Sequence, residues 1–396
     1  MISDWNKVSV ALSSIVMFRN VVQQEPLIAL RRFLDLKTDD TAALAEAYST
    51  FVSALFAKSH DFGLYLQRAL FEDENEYVIA RAHGKTIPTV IQRCVENELV
   101  LFSELSSLNP KDLADLVGFD GYLALFENTS IDFSMTYEER INNVAKYGYG
   151  IFVTNHMFTL QDGTIVPVRS ADPIDLKELI GYEDERNQVI ENTKALLRGK
   201  PAANILLCGD AGTGKSSTVK AVTNLLAPEG LRLIEIRKEQ VLQLPMIMDE
   251  LSRNPLKFII FIDDLSFNKN DDYFSTLKAI LEGSVSARNK NTVIYATSNR
   301  RHLVKESFSD RIGDDVHHND TVQELVSLSE RFGMTILFSK PNKELYLRIV
   351  HQLAEAKKID MDTTELDLLA EAFALRKGGR SARAADQFTD YLLSQR

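Results

Sequence analysis

The stretch Ile205-Leu206-Leu207-Cys208-Gly209-Asp210-Ala211-Gly212-Thr213-Gly214-Lys215-Ser216 decides the reading of this chain. Its apolar start is strand-sized, and residues 209–216 fit GxxxxGK[ST] in full. Residues 217–226 then suit a helix. Strand, glycine-rich loop and helix in that order make a phosphate cradle. Glycines let successive backbone N–H groups turn inward where a side chain would obstruct them. The helix that follows points its positive end at the anion. On this reading Gly209, Asp210, Ala211, Gly212, Thr213, Gly214 and Ser217 wrap the phosphates, Lys215 reaches the β/γ-phosphates and Ser216 ligates Mg²⁺. A glycine-rich turn with a chance lysine is the bland alternative, and it leaves the flanking strand and helix unexplained.

A second anchor lies 48 residues after Lys215. Phe258-Ile259-Ile260-Phe261-Ile262-Asp263-Asp264 is an apolar strand that ends in two carboxylates. Acids at the carboxyl end of a buried strand sit where a switch-point ligand binds. Asp263 would hold the metal through water, and Asp264 would polarise an attacking water. The competing reading, an aspartate capping the next helix, is common for a strand end alone and weak beside the loop. Asn268-Lys269-Asn270-Asp271 matches the NKxD pattern that reads guanine, but it begins only four residues past Asp264, in a polar turn. It reads as coincidence, and ATP is the expected nucleotide.

Apolar runs at 205–208, 231–236, 258–262, 292–296 and 335–338 alternate with helical or polar patterns. That alternation predicts an α/β fold with a parallel sheet wound with helices. After Pro341 the pattern is helical only, at 343–357, 364–375 and 381–393. Residues 1–146 read as helix after helix, including 42–57 and 88–105. Between these regions, residues 149–154 and 164–168 read as two short strands around an Asp162-Gly163 turn. The expected organisation is a helical N-terminal partner or regulatory domain (1–146), a hairpin or linker (147–174), an αβ core (175–340) and a helical lid (341–396).

Composition bounds the class. The chain has 396 residues, 45% apolar and 26% charged, which excludes collagen-like and wholly disordered readings. No apolar run approaches the 18 or so residues of a membrane span. Residues 8–18 are apolar, but Asp4 precedes them and serines interrupt them, so they read as an amphipathic helix and not a secretory signal. Two cysteines, Cys94 and Cys208, make neither a disulfide framework nor a zinc cluster, and a reducing, cytoplasmic home follows. The net charge of −11 is uneven: residues 1–145 carry 12 Lys and Arg against 21 Asp and Glu. That region repels phosphate backbones overall and favours partners with basic surfaces.

With these motifs in place the chain resembles the AAA+ ATPases over about residues 175–396. The strings GDAGTGKSS, FIIFIDDLSF, ATSNRRHL and LSERFG together resemble, more narrowly, a bacterial family of ATP-binding AAA+ proteins catalogued as a domain of unknown function. The resemblance implies a P-loop NTPase sheet of order 5-1-4-3-2 with a helical lid. It implies that Asn299, in Tyr295-Ala296-Thr297-Ser298-Asn299, is the sensor 1 residue orienting the attacking water. Arg331, in Ser329-Glu330-Arg331-Phe332-Gly333, would be the arginine finger reaching a neighbouring subunit's γ-phosphate. Arg383, with Arg380 as runner-up, would be sensor 2 on the lid, and Ile180, Gly181 and Tyr182 would line the adenine. Each arginine has a plain alternative as a solvated or helix-capping residue.

Many superfamily members have Asp-Glu where this chain has Asp263-Asp264. The shorter side chain brings the water closer or holds it differently, which favours a loader or switch over a fast motor. Residues 237–245 lack the aromatic–apolar–glycine loop of unfoldases, there is no HExxH, and the adjacent His317 and His318 cannot share a helix face. Arg300, Arg301, His302 and Lys305 form a basic cluster that suits an acidic neighbouring subunit better than nucleic acid. The leading expectation is an oligomeric Mg·ATP-dependent ATPase, slow in turnover, that loads or remodels a protein or protein–nucleic acid complex. A slow ATP-bound switch is the second reading, and a non-AAA+ P-loop kinase the third.

Overall fold

The computed structural model describes residues 5–169, 174–265, 272–282, 290–299 and 330–395. The chain forms two compact units, Met1–Thr154 and Asn155–Arg396. Asn268–Asp271, the 300–305 basic cluster, His317, His318 and Ser329 lie outside the described residues. Among the described residues no helix is long and apolar enough to cross a membrane.

The first unit is helical. Its longest helices are Thr41–Phe56 and Thr89–Ser106. Asp40, Asp61, Asn75, Asn109 and Asp132 each accept a hydrogen bond from a first-turn N–H of the helix they precede, which satisfies donors a helix cannot pair internally. The core is aromatic: Phe18, Phe51, Phe62, Phe102 and Phe133 are fully buried. Phe18 packs edge-on against Phe102 (5.8 Å) and Tyr137 (5.3 Å), the geometry that ring quadrupoles favour. Buried Glu98 accepts the N–H groups of Val16 (2.7 Å), Met17 (3.1 Å) and Phe18 (3.0 Å) and so fixes the turn after the Trp5–Ser14 helix.

The second unit is built on a seven-stranded sheet. In chain order the strands are β1 (Met157–Gln161), β2 (Thr164–Pro167), β3 (Ile205–Gly209), β4 (Leu231–Ile236), β5 (Lys257–Ile262), β6 (Thr292–Ser298) and β7 (Met334–Phe338), arranged β2-β1-β4-β5-β6-β3-β7. Among the described residues only the β1–β2 pair is antiparallel. Phe258 to Ile262 are completely buried, as the continuous apolar run requires of a strand covered on both faces. The helices here are α1 (Glu183–Leu197), α2 (Lys215–Leu226), α3 (Leu244–Ser252) and α4 (Asp272–Leu281), followed by α5 (Lys343–Ala356), α6 (Thr363–Arg376) and α7 (Ala382–Ser394). The last three share a core of their own around Tyr346, Ile349, Val350, Ala370 and Phe388. Lys357, which caps the C-terminus of α5, pairs with Asp386 and Asp390 on α7, each at 2.7 Å.

The five core strands β3 to β7 lie as β7-β3-β6-β5-β4, the order 5-1-4-3-2. The segment before them differs from the sequence reading. Residues 149–154 are not a strand: Gly150–Phe152 is a short 3₁₀ turn, and the first strand begins at Met157. Gly148 (φ 68°) and Gly150 (φ 62°) take left-handed backbone on either side of Tyr149 and break the extended run. The hairpin is also no separate linker. β1 pairs in parallel with β4, Met157 opposite Leu233 and Phe158 opposite Ile234, and so widens the sheet.

Candidate functional site

The loop after β3 is shaped by glycines where nothing else fits. A Cβ on Gly209 (φ 141°) would lie 2.0 Å from the Phe338 carbonyl oxygen of the neighbouring strand. A Cβ on Gly212 (φ 75°) would press on the Arg383 Cβ at 3.1 Å. Gly214 (φ 88°) then turns the chain into α2, whose N-terminus faces the loop. Lys215 is 5% exposed, and its Nζ donates to the Gly209 carbonyl (3.1 Å), the Asp210 carbonyl (2.7 Å) and Asn299 Oδ1 (3.0 Å). Burial pulls its ammonium below the usual lysine range, opposed by the nearby charges of Asp210, Asp263 and Asp264.

The two acids meet this loop from β5. Ser216 Oγ donates to Asp263 Oδ1 at 2.6 Å, and Asn299 Nδ2 donates to Asp264 Oδ1 at 2.8 Å. Asn299 thus bridges Lys215 and Asp264. Thr297, buried on β6, donates its hydroxyl to Asp263 Oδ1 (2.6 Å) and accepts the Asp264 N–H (2.9 Å). Thr297 was not singled out in the sequence. The available signal is strand alternation, which puts residue 297 on the same face of β6 as residue 299.

A cleft of about 960 Å³ opens beside this network and runs between the sheet and the lid. Ala211, Gly212, Thr213, Gly214, Lys215, Ser216 and Ser217 line it at one end with Asp263, Asp264 and Asn299. Ile180 and Tyr182 line the other end with Ile349 and Leu353 of α5. Tyr182 adopts left-handed backbone (φ 60°), donates its hydroxyl to the Ser339 carbonyl (2.6 Å) and packs on Phe338; burial pushes its phenol up to about 12. Arg383 lines the cleft, and its N–H donates to the Gly212 carbonyl at 3.3 Å.

The remaining predicted residues stand apart from the cleft wall. Gly209 packs behind the loop. Asp210 turns its carboxylate to the Lys340 N–H (2.9 Å). Gly181 faces Leu345, and its carbonyl accepts from Arg186. Arg380 is forked onto Glu371 of α6 (2.8 and 2.6 Å), so of the two lid arginines it is Arg383 that reaches the cleft. Arg331 precedes β7 at the amino ends of the strands and pairs with Glu282 at 3.2 Å.

A parallel core of order 5-1-4-3-2, a phosphate-type loop after its first strand and a three-helix lid define an AAA+ P-loop fold. Within that class the chain belongs to the family described as "Protein of unknown function (DUF815)", which matches residues 153–396. No curated protein matches the chain. Solved structures that match include the RuvB Holliday junction branch migration motor of Thermotoga maritima, at 15% identity over 55% of this chain and 63% of that one, TM-score 0.36. The replication initiator DnaA bound to AMPPCP and single-stranded DNA matches at 15% identity over 56% of this chain and 65% of that one, TM-score 0.40. The match therefore spans less than two thirds of either solved chain.

Proposed function

We propose that the second unit binds Mg·ATP in the cleft and hydrolyses it slowly, to load or remodel a protein or protein–nucleic acid complex that the helical first unit recruits. The observation that carries this reading is convergence. Lys215, Ser216, Asp263, Asp264 and Asn299 come from three separate segments and close into one hydrogen-bonded network at the carboxyl ends of β3, β5 and β6. A cation, a hydroxyl and two carboxylates there match what phosphoryl transfer needs: charge stabilisation, metal contact and water orientation.

The residues present fit the metal. Ser216 and Asp263 offer hard oxygen donors side by side, and Mg²⁺ is held by one or two carboxylates plus substrate phosphates and water, not by a protein cage. That suits a site where, among the described residues, no cluster of three or more His, Cys, Asp or Glu side chains could hold a metal. When bound, the ion would supply charge neutralisation at the phosphates. Lys215 would exchange its backbone carbonyls for phosphate oxygens, Asn299 and Asp264 would orient the attacking water, and Arg383 would approach from the lid. Ile180, Tyr182, Ile349 and Leu353 would form the apolar end that takes a base. Arg331 would act on the nucleotide of a neighbouring copy.

The second reading, a switch that stays ATP-bound, draws support from Asp264. It is one methylene shorter than glutamate, and Asn299 already holds its carboxylate. Titration with a fluorescent ATP analogue tests the common core of both readings. Wild-type protein should bind with Mg²⁺ present, and Lys215→Ala should lose at least about tenfold in affinity, the loss of one charge-assisted contact. Unchanged binding by Lys215→Ala would refute the assignment.

A further inference from the structure

Three consecutive residues leave β5 through one turn, and a single side chain and carbonyl on the next strand hold all three. The Thr297 hydroxyl donates to Asp263 Oδ1 at 2.6 Å. The Thr297 hydroxyl oxygen accepts the Asp264 N–H at 2.9 Å. The Thr297 carbonyl accepts the Leu265 N–H at 2.7 Å. Strand register puts Thr297 there: Ala296 lies opposite Ile262 on β5 and Thr297 opposite Leu207 on β3, so the hydroxyl falls beside the exit of β5.

The turn needs holding. Asp264 has φ 52°, left-handed backbone that a residue with a Cβ adopts only at a cost. Its N–H is shared between Asp263 Oδ1 (3.1 Å) and Thr297. Asp263 Oδ1 therefore accepts from Ser216, Thr297 and the Asp264 backbone together, which fixes the carboxylate torsion and leaves Oδ2 turned from these donors. A hydroxyl is suited to this place because it donates and accepts at once. Serine keeps both functions, and valine keeps the volume and neither.

We propose that Thr297 is a positioning residue, resting on the Mg·ATP reading above: it sets the Asp263 carboxylate for the metal and aims Asp264 by holding the left-handed turn between them. It lines the cleft and acts through the two acids it holds. The proposal predicts a split that a merely structural residue would not produce. Affinity for nucleotide without metal depends on the loop and lid, and stays. The gain in affinity that Mg²⁺ confers depends on Asp263, and falls.

The experiment is binding of a non-hydrolysable fluorescent ATP analogue to full-length wild type, Thr297→Val and Thr297→Ser, each in EDTA and in Mg²⁺. Thr297→Val should bind within about twofold of wild type in EDTA and lose roughly tenfold of the Mg²⁺-dependent gain, the weight of one hydrogen bond to a charged group. Thr297→Ser should restore the gain. A full gain in Thr297→Val, or equal losses with and without metal, overturns the proposal. Should Thr297→Val fail to fold by circular dichroism, Thr297→Ser against Thr297→Ala carries the same comparison, and a loss of the gain in Thr297→Ser overturns it. If wild type binds no nucleotide in either condition, the Mg·ATP reading itself falls; if wild type shows the gain and the variants do not differ, only the role of Thr297 falls.

Discussion

Lys215 is the residue whose environment is most sharply set. It is buried, and its direct partners are two carbonyls and an amide oxygen, with no carboxylate among them. Desolvation favours its neutral form, and an incoming phosphate would favour the charged one. The sign follows. Affinity for ATP should be full where the free-state ammonium is charged and should fall as pH climbs through a value below the ordinary lysine range. The phosphates are already ionised above their second pKa of about 6, so binding measured from pH 7 to 10 should weaken earlier than an ordinary lysine would account for. A flat profile up to pH 10 would show that the burial of Lys215 has no hold on the bound state. Arg380 contrasts with it: its fork on Glu371 is complete, so its charge is already spent within the lid.

Elements show which features were readable in the chain and which were not. The β3 loop and the β5 acids were legible because an all-apolar parallel strand and a glycine-spaced turn leave local signatures, Phe258 to Asp264 and Gly209 to Ser216. The strand before them was misplaced by several residues, because Gly148 and Gly150 act through left-handed backbone that an apolar run such as Ile151-Phe152-Val153 masks. Thr297 was only half legible: alternation puts it on the face of Asn299, but its role depends on cross-strand register, which spacing along one strand does not encode. Arg380 and Arg383 could not be separated by spacing; Glu371, one helix earlier, separates them. Gly209 joins the two kinds of information. The motif asks for glycine to free the backbone, and the register opposite Phe338 asks for it again because a Cβ would meet a carbonyl at 2.0 Å. Gly209→Ala should thus disturb the β3–β7 pair as well as the loop. Overpacking against fixed backbone together with strain at φ 141° should cost about 3 kcal/mol. In a unit of this size that lowers Tm by roughly 6–12 °C, read by circular dichroism melting. A melting point within about 2 °C of wild type would show that the strands part without penalty.

One copy of the chain does not bring every candidate group to one cleft. β3 and β7 run parallel with Ile205 opposite Met334 and Gly209 opposite Phe338. Arg331 precedes the start of β7 while the loop follows the end of β3, so a full strand separates them, five residues or about 16 Å. Within one chain Arg331 therefore sits a strand's length from the loop. Its present partner, Glu282, is a partly exposed contact of the kind worth at most about 1 kcal/mol, easily exchanged for a phosphate. A head-to-tail assembly would bring one copy's Arg331 to the next copy's cleft. Arg331→Ala and Asp264→Asn should then each bind ATP and each fail to turn it over, for different reasons. Mixed in equal amounts, they should recover activity. An interface works when its cleft comes from the Arg331→Ala chain and its finger from the Asp264→Asn chain, so random mixing leaves roughly a quarter of interfaces intact. Phosphate release by the mixture should approach that fraction of wild type and rise with protein concentration. A mixture as inactive as its parents, while both still bind nucleotide, would place the missing charge within the chain or nowhere.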